Sequence, residues 1–388
     1  MKILLEWPRS STYDRESFVG GVEKWVSNIY DLLLESEHDV HLLVPNDTIS
    51  ADPNIILSPL SSRPYDKEGK GVSWTFNFNK FYSFLEEKYD DYDVILLSSM
   101  MTAGVLRKKF EGLLDKILYM QHYYELTSSS IPTYSAIFNQ LAIIQKGGKV
   151  LSPNDWVTDQ TMKAYRVREH EPYIRTHRIH DWEREKWGNT LETQGFYNGS
   201  FDIIHYLEDA QDLKPVDEKK VVFVGRPVNE KGFVQAINAM LILDKEGWNC
   251  HVYTRDEKLT KQQTITAMEM IKKSGINLHI NTLHKDIMKS LSDTHILLWP
   301  TLKETLGLVG YEGVIHGCKV IYKIDPPDCY LKDYGFKRKW IGAKGLAKTV
   351  KEVADLDFDR YAVSNYFREK YTRDKDMQRL NEVLKHYE

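Results

Sequence analysis

The stretch that decides the fold is Trp299-Pro-Thr-Leu-Lys-Glu304-Thr-Leu-Gly307-Leu-Val-Gly310-Tyr-Glu312. It follows His295-Ile-Leu-Leu, a short apolar run that reads as a buried parallel strand ended by Pro300. Glu312–Gly317 reads as a helix leading into the next strand, Lys319-Val-Ile-Tyr. Two carboxylates, Glu304 and Glu312, therefore flank a glycine-containing turn at the C-terminal end of a strand, where open α/β sheets bind ligands. Free backbone N–H groups of the turn and a helix N-terminus favour an anion there, and a carboxylate suits sugar hydroxyls.

Upstream, Val221-Val-Phe-Val reads as another strand. It runs into Gly225-Arg226-Pro-Val-Asn-Glu-Lys231-Gly232 and a helix over 233–243. A strand, a glycine turn with two cations and a helix start make an anion cradle. Strands at His251–Thr254 and Leu278–Ile280 and a helix near Lys285–Leu291 complete this half.

The N-terminal half opens the same way. Lys2–Trp7 reads as a buried strand. After a polar loop come Gly20 and Gly21, and then a helix with Val22, Trp25, Val26, Ile29, Leu32 and Leu33 on one face. The strand Val40–Val44 makes this a βαβ start, followed by strands at Ile55–Leu57, Val94–Leu97, Ile117–Met120 and Val150–Leu151. Asp91-Tyr-Asp93 has the spacing of a metal-binding DxD pair. It precedes its strand, however, and so falls at the end of the sheet away from a ligand. His122 follows a strand directly, where a site residue is expected. A helix is read near Thr158–Arg166, and 365–388 reads as an amphipathic helical tail.

These features together resemble the retaining glycosyltransferases of family 4, which have the GT-B fold. The matching residues are Gly20-Gly21-x-Glu23, His122, Asn198-Gly199, Arg226 with Lys231, and the Glu304…Glu312 pair with seven residues between, in family order. The resemblance implies an α/β architecture of two Rossmann-like domains facing a central cleft. It places an acceptor-binding domain at 1–207, with the tail 365–388 packing back on it, and a nucleotide-sugar-binding domain at 208–364. The polar segment Glu208–Lys220 is read as the linker.

The resemblance also implies roles. Arg226 and Lys231 would neutralise the leaving diphosphate, so no metal and no other cofactor is essential. Gly20, Gly21, Gly225, Thr305, Leu306, Gly307 and Leu308 would line the donor. Glu304 would hold sugar hydroxyls, Glu312 the ribose hydroxyls, and His122 would contact the transferred sugar. Family members carry Asn-Gly-x-Asp where this chain has Asn198-Gly-Ser-Phe-Asp202; the extra residue leaves Asp202 without an assigned role.

The donor implied by default is UDP-glucose, and two acceptor classes stand open. Gln121-His122, Tyr197-Asn198 and Gly225-Arg-x4-Lys-Gly-Phe233 are similar to the DNA α-glucosyltransferases of T-even phages, which implies hydroxymethylated pyrimidine in double-stranded DNA. Lys163–Trp187 interleaves cations with aromatic residues, and Arg166, Arg168, Arg175, Arg178 and Trp182 suit phosphate contact and base stacking. The acidic residues of the same segment equally suit a solvated face. The other acceptor class is a surface glycan or lipid-linked saccharide. A non-catalytic nucleotide-binding protein is the reading outside enzymes. A dehydrogenase would need G-x-G-x-x-G after the first strand, which is missing.

Composition sets the outer limits. A chain of 388 residues, 42% hydrophobic, holds roughly two domains with real cores. The formal charge of -4 opposes a wholly basic nucleic-acid binder while leaving local basic faces open. Cys250, Cys318 and Cys329 form no ligand cluster and suit a reducing compartment. With no leader-like N-terminus and no apolar run near ~20 residues, the expected location is the cytoplasm, that of the bacterial host for a phage-encoded enzyme. The sequence says nothing of oligomeric state.

Overall fold

The computed structural model describes residues 1–7, 21–46, 48–59, 74–98, 114–120, 148–151, 210–256, 261–302, 307–323, 331 and 333–388. His122, Glu304, Thr305, Leu306, Gly20, Arg166, Arg168, Arg175, Arg178, Trp182, the helix expected near 158–166 and Asn198–Asp202 lie outside them. The chain divides into two compact units: Met1–Arg15, Val19–Ile203 and Asp374–Glu388 form the first; Glu16–Phe18 and Ile204–Arg373 form the second.

The first unit contains strands β1 (Lys2–Glu6), β2 (Asp39–Val44), β3 (Ile55–Leu57), β4 (Val94–Leu97), β5 (Ile117–Met120) and β6 (Lys149–Leu151), with helices α1 (Gly21–Glu35) and α2 (Trp74–Lys88). The sheet order is β3-β2-β1-β4-β5-β6, and every pairing is parallel. β4 is buried along its whole length, as strands covered on both faces must be. The expected apolar face of α1 is buried at Trp25, Val26, Ile29, Leu32 and Leu33. Asp93 sits just before β4, and its carboxylate accepts from the Lys2 backbone N–H at 2.7 Å. It thus caps the N-terminal edge of the sheet.

The second unit repeats the plan with β7 (Asp217–Val224), β8 (Asn249–Thr254), β9 (Asn277–Ile280), β10 (Thr294–Trp299), β11 (Lys319–Tyr322) and β12 (Phe336–Lys337). Its order, β12-β11-β10-β7-β8-β9, is again fully parallel. The helices are α3 (Phe233–Lys245), α4 (Gln262–Lys272), α5 (His284–Leu291), α6 (Leu308–Ile315), α7 (Gly342–Ala354) and α8 (Arg360–Lys370). Alternation along β7 shows why two layers of helix are needed. Val221 and Phe223 join a core with Phe233, Ile237, Leu346 and Val350 of α3 and α7. Val222 and Val224 join a separate core with Ile287, Tyr311 and Phe367 of α5, α6 and α8.

Three expectations are corrected. β7 begins at Asp217, inside the segment read as linker, because its polar first residues pair at the sheet margin while only Lys220 onward is buried. β12 was not anticipated; two residues carry no periodic signal. The tail is two helices, α8 and α9 (Arg373–Leu384), broken at Tyr371-Thr372. Phe367 of α8 is wholly buried in the second unit's core, so α8 stays with that unit although the returning tail was expected to start at 365. From Asp374 the chain groups with the first unit, where Tyr387 Oη donates to the Ile117 carbonyl at 3.3 Å.

A buried histidine ties the end of α6 to the approach to β7. The Gln211 N–H donates to His316 Nε2 at 3.0 Å, so Nε2 is unprotonated. Nδ1 therefore carries the hydrogen and donates to the Glu312 carbonyl at 2.8 Å. Burial pushes the His316 pKa down from 6.5 to about 4. A lowered folded pKa means the unfolded chain takes up the proton first as pH falls. Stability is then fully present above about pH 6.5 and is lost on descent toward pH 4, by on the order of 3 kcal/mol for this group. Urea midpoints measured between pH 7 and 4 should fall more steeply for the wild type than for a His316→Gln variant, which starts weaker at pH 7.

Candidate functional site

Both sheets have the strand order of a doubly wound fold, and in the second unit the order reverses between β7 and β10. Ligands of such sheets bind outside the C-terminal strand ends at that reversal. The segments after β7 and β10 are the ones that carry Gly225, Arg226, Lys231, Gly307, Leu308 and Glu312.

After β7 the chain turns at Gly225, whose N–H donates to the Tyr253 carbonyl at 3.1 Å. A Cβ there would come within 3.1 Å of the Phe223 ring, so the turn closes onto the strand. The Val228 N–H bonds back to the Arg226 carbonyl at 2.8 Å, and a short 3-10 turn, Asn229–Lys231, follows. Gly232 then takes a left-handed conformation with φ 68° and starts α3. The Arg226 side chain is exposed, and Lys231 is half-buried.

This loop is fastened to the one after β10. The Glu230 carbonyl accepts from the Leu302 N–H at 2.8 Å and from the Thr301 hydroxyl at 3.1 Å. A Cβ on Gly232 would lie 2.2 Å from the Pro300 carbonyl oxygen, so the two backbones meet where only glycine fits. Arg226 and Lys231 thus belong to a segment locked to Thr301 and Leu302, just after β10.

Gly307, with φ 80°, caps α6. The expected helix began at Glu312; in the structure it begins at Leu308, because Val309, Gly310 and Tyr311 all accept helical geometry once Gly307 has made the left-handed turn. The helix N-terminus therefore follows Gly307 directly; the Gly310 and Tyr311 N–H groups donate to the Gly307 carbonyl, while those of Leu308 and Val309 precede any intrahelical acceptor. Gly313 lets α6 press on the sheet: a Cβ there would be 2.4 Å from Leu297 Cδ2 and 2.8 Å from Val320 Cγ2.

Glu312 faces the same strand ends from inside α6, and it is 6% exposed. His284, the first residue of α5, meets it, with Nε2 donating to Glu312 Oε1 at 2.9 Å. Sequence reading missed His284; a lone histidine at a helix start gives no pattern. It also missed Lys337–Lys351, which holds six Lys or Arg residues and no carboxylate. β12 runs parallel to β11, so the residues after Lys337 leave the sheet at the same C-terminal rim. Lys339 and Lys344 are exposed there. Lys323 Nζ stands 5.7 Å from the centre of the Trp340 ring, while Lys348 and Lys351 pair with Glu352 and Glu246.

Of the predicted donor residues, Gly225, Arg226, Lys231, Gly307, Leu308 and Glu312 are described, all in the loops and helix at these strand ends. Gly21 is the first residue of α1 in the other unit. Among the described residues no group of three His, Cys, Asp or Glu side chains is placed to hold a metal ion, and no helix is long and apolar enough to cross a membrane.

No protein-family profile and no curated protein matches this sequence. Solved structures do. A sucrose-phosphate synthase from Thermosynechococcus elongatus aligns at TM-score 0.68 and 14% identity, over 99% of this chain and 98% of its own. WaaG, a glycosyltransferase involved in lipopolysaccharide biosynthesis, aligns at TM-score 0.59 and 13% identity, over 97% of this chain and 99% of its own. An α-glucosyltransferase in complex with UDP and a 13-mer DNA containing a HMU base aligns at TM-score 0.52 and 13% identity, over 98% and 95%. The chain has the GT-B fold of these glycosyltransferases.

Gly232→Ala tests the fastening of the two loops. A left-handed alanine with its Cβ against a carbonyl should cost about 1–3 kcal/mol or force the loops apart. We expect a lower midpoint in urea. Gly247→Ala, also at positive φ but with nothing within 4 Å, supplies the cost of φ alone and should be milder.

Proposed function

We propose that this protein is a retaining glycosyltransferase that moves a hexose from a nucleotide sugar, UDP-glucose by default, to an acceptor hydroxyl without an essential metal. The observation that carries this reading is the pairing of the Arg226–Lys231 loop with Thr301 and Leu302 after β10, at the reversal point of the second sheet. Arg226 and Lys231 lie in the loop after β7 and the N-terminus of α6 follows the segment after β10, an arrangement that suits a leaving diphosphate. Bond cleavage leaves the diphosphate with one more negative charge. Preorganised cations and N–H dipoles that meet that charge lower the barrier. Arg226 suits the task, being exposed and without a protein partner among the described residues. Glu312 is the group for the ribose hydroxyls, Glu304 for those of the sugar, and His122 for the sugar's far edge. The retaining outcome follows from same-face attack, with a leaving-group oxygen taking the acceptor proton.

Arg226→Ala should lose about 2–5 kcal/mol of transition-state stabilisation in kcat/KM with an unchanged circular dichroism spectrum. Release of UDP from UDP-glucose is the readout, and a folded variant near wild-type kcat/KM would overturn the cradle.

For the acceptor we propose a hydroxymethylated pyrimidine in duplex DNA. Support comes from the local likenesses at Gln121-His122 and Gly225–Phe233, from the cationic and aromatic residues of Lys163–Trp187, and from the carboxylate-free run Lys337–Lys351. The target base would be exposed by flipping. Each phosphate contact adds a slope of roughly -0.9 in log K against log salt. Fluorescence anisotropy at several salt concentrations should show that slope. It should flatten by up to about two in an Arg175→Ala/Arg178→Ala double variant, and likewise in Lys339→Ala/Lys344→Ala. A flat response in the wild type would turn the acceptor toward a saccharide, the class suggested by WaaG.

A further inference from the structure

Glu312 is a carboxylate in an apolar setting. Its own helix is pressed against β10 and β11, Tyr311 beside it is wholly buried, and the side chain is 7% exposed. A buried carboxylate needs a donor to satisfy it and to hold one orientation. Among the described residues the donor is His284, at 2.9 Å, and it reaches Oε1 alone. The other carboxylate oxygen has no hydrogen-bond partner among the described residues.

His284 is itself well fixed. It is the first residue of α5, behind Leu283 in extended conformation, and Ile287, Met288 and Leu291 of the same helix are buried in the core that holds Tyr311 of α6. The two side chains come from the segments following β9 and β10, and only the packing of α5 against α6 brings them together. One oxygen of Glu312 is thus anchored and the other presented.

We infer that His284 is a positioning residue for Glu312, setting the free carboxylate oxygen to accept from the ribose hydroxyls of the nucleotide. The inference rests on the proposal that this site takes a nucleotide sugar. His284 acts through Glu312. Its loss matters only for a ligand that possesses ribose hydroxyls, whereas a structural role for His284 would be felt by any nucleotide.

The experiment is a cycle on the full chain. Binding of UDP, GDP and ADP to the wild type is measured by calorimetry, and the tightest is compared with its 2′,3′-dideoxy form. The wild type should prefer the ribose form by about tenfold, the size of one charge-assisted contact. In His284→Ala the ribose form should weaken about tenfold while the dideoxy form is unchanged, so the preference falls toward one. His284→Gln, whose amide can donate to Oε1, should return within about threefold of the wild type. With UDP-glucose turnover, His284→Ala should raise KM and leave kcat within about threefold. Equal weakening of both nucleotides, or a Gln variant as weak as the Ala variant, would overturn the inference alone. Failure of the wild type to bind any of the three diphosphates would overturn the nucleotide-sugar reading, and the inference with it.

Discussion

The contact on which the second unit's ligand end depends is between two backbones: the chain at Gly232 lies against the Pro300 carbonyl, and the Glu230 carbonyl takes two donors from Thr301 and Leu302. Adjacent parallel strands fix the spacing of their ends, but not the course of the loops that leave them. Here the loops are fixed by hydrogen bonds that water would otherwise satisfy, and by the missing side chain at residue 232. Such contacts need no side-chain chemistry of their own. They hold the loop that carries Arg226 and Lys231 against Thr301 and Leu302 at the start of the segment that leads to α6.

The fold was largely legible in the sequence because its signals are local. Short apolar runs such as Val94–Leu97 and Val221–Val224 are the signature of strands buried on both faces, and the one-sided helix at Gly21–Glu35 can be read from its period. What was not legible depends on tertiary contact. β12 is two residues long and exists because β11 offers an edge. The start of α6 at Leu308 hinges on a left-handed glycine, and Gly307 and Gly310 are equivalent on paper until the structure puts φ 80° at the first. The Glu208–Lys220 segment reads as polar, yet Lys220 is buried, with its ammonium bound to the Ser290 carbonyl and to Asp293.

The site was legible as a set of residue types and less so as an arrangement. The glycines and the Arg226, Lys231 and Glu312 side chains were identifiable by order along the chain. His284 was not, since nothing in Leu283-His-Lys-Asp distinguishes a ligand of a distant carboxylate from a polar helix start. The same holds for His316, whose buried neutral imidazole bridges Gln211 and Glu312. Both histidines attach to one residue, His284 to the Glu312 carboxylate and His316 to its carbonyl, so the helix carrying that carboxylate is held at two points.

The passage of Asp374–Glu388 back to the first unit bears on how the protein is made. Leu380, Val383 and Leu384 are buried in that final segment, and Tyr387 reaches the end strands of the first sheet. A ribosome delivers these residues only after all of Ile204–Arg373, a delay on the order of 10–30 s at roughly 5–20 residues per second. Through that interval the N-terminal sheet waits with part of its cover missing, while the second unit has everything it needs to close. The order of completion is therefore the reverse of the order of synthesis, and the half-finished N-terminal unit is the species that chaperones would meet.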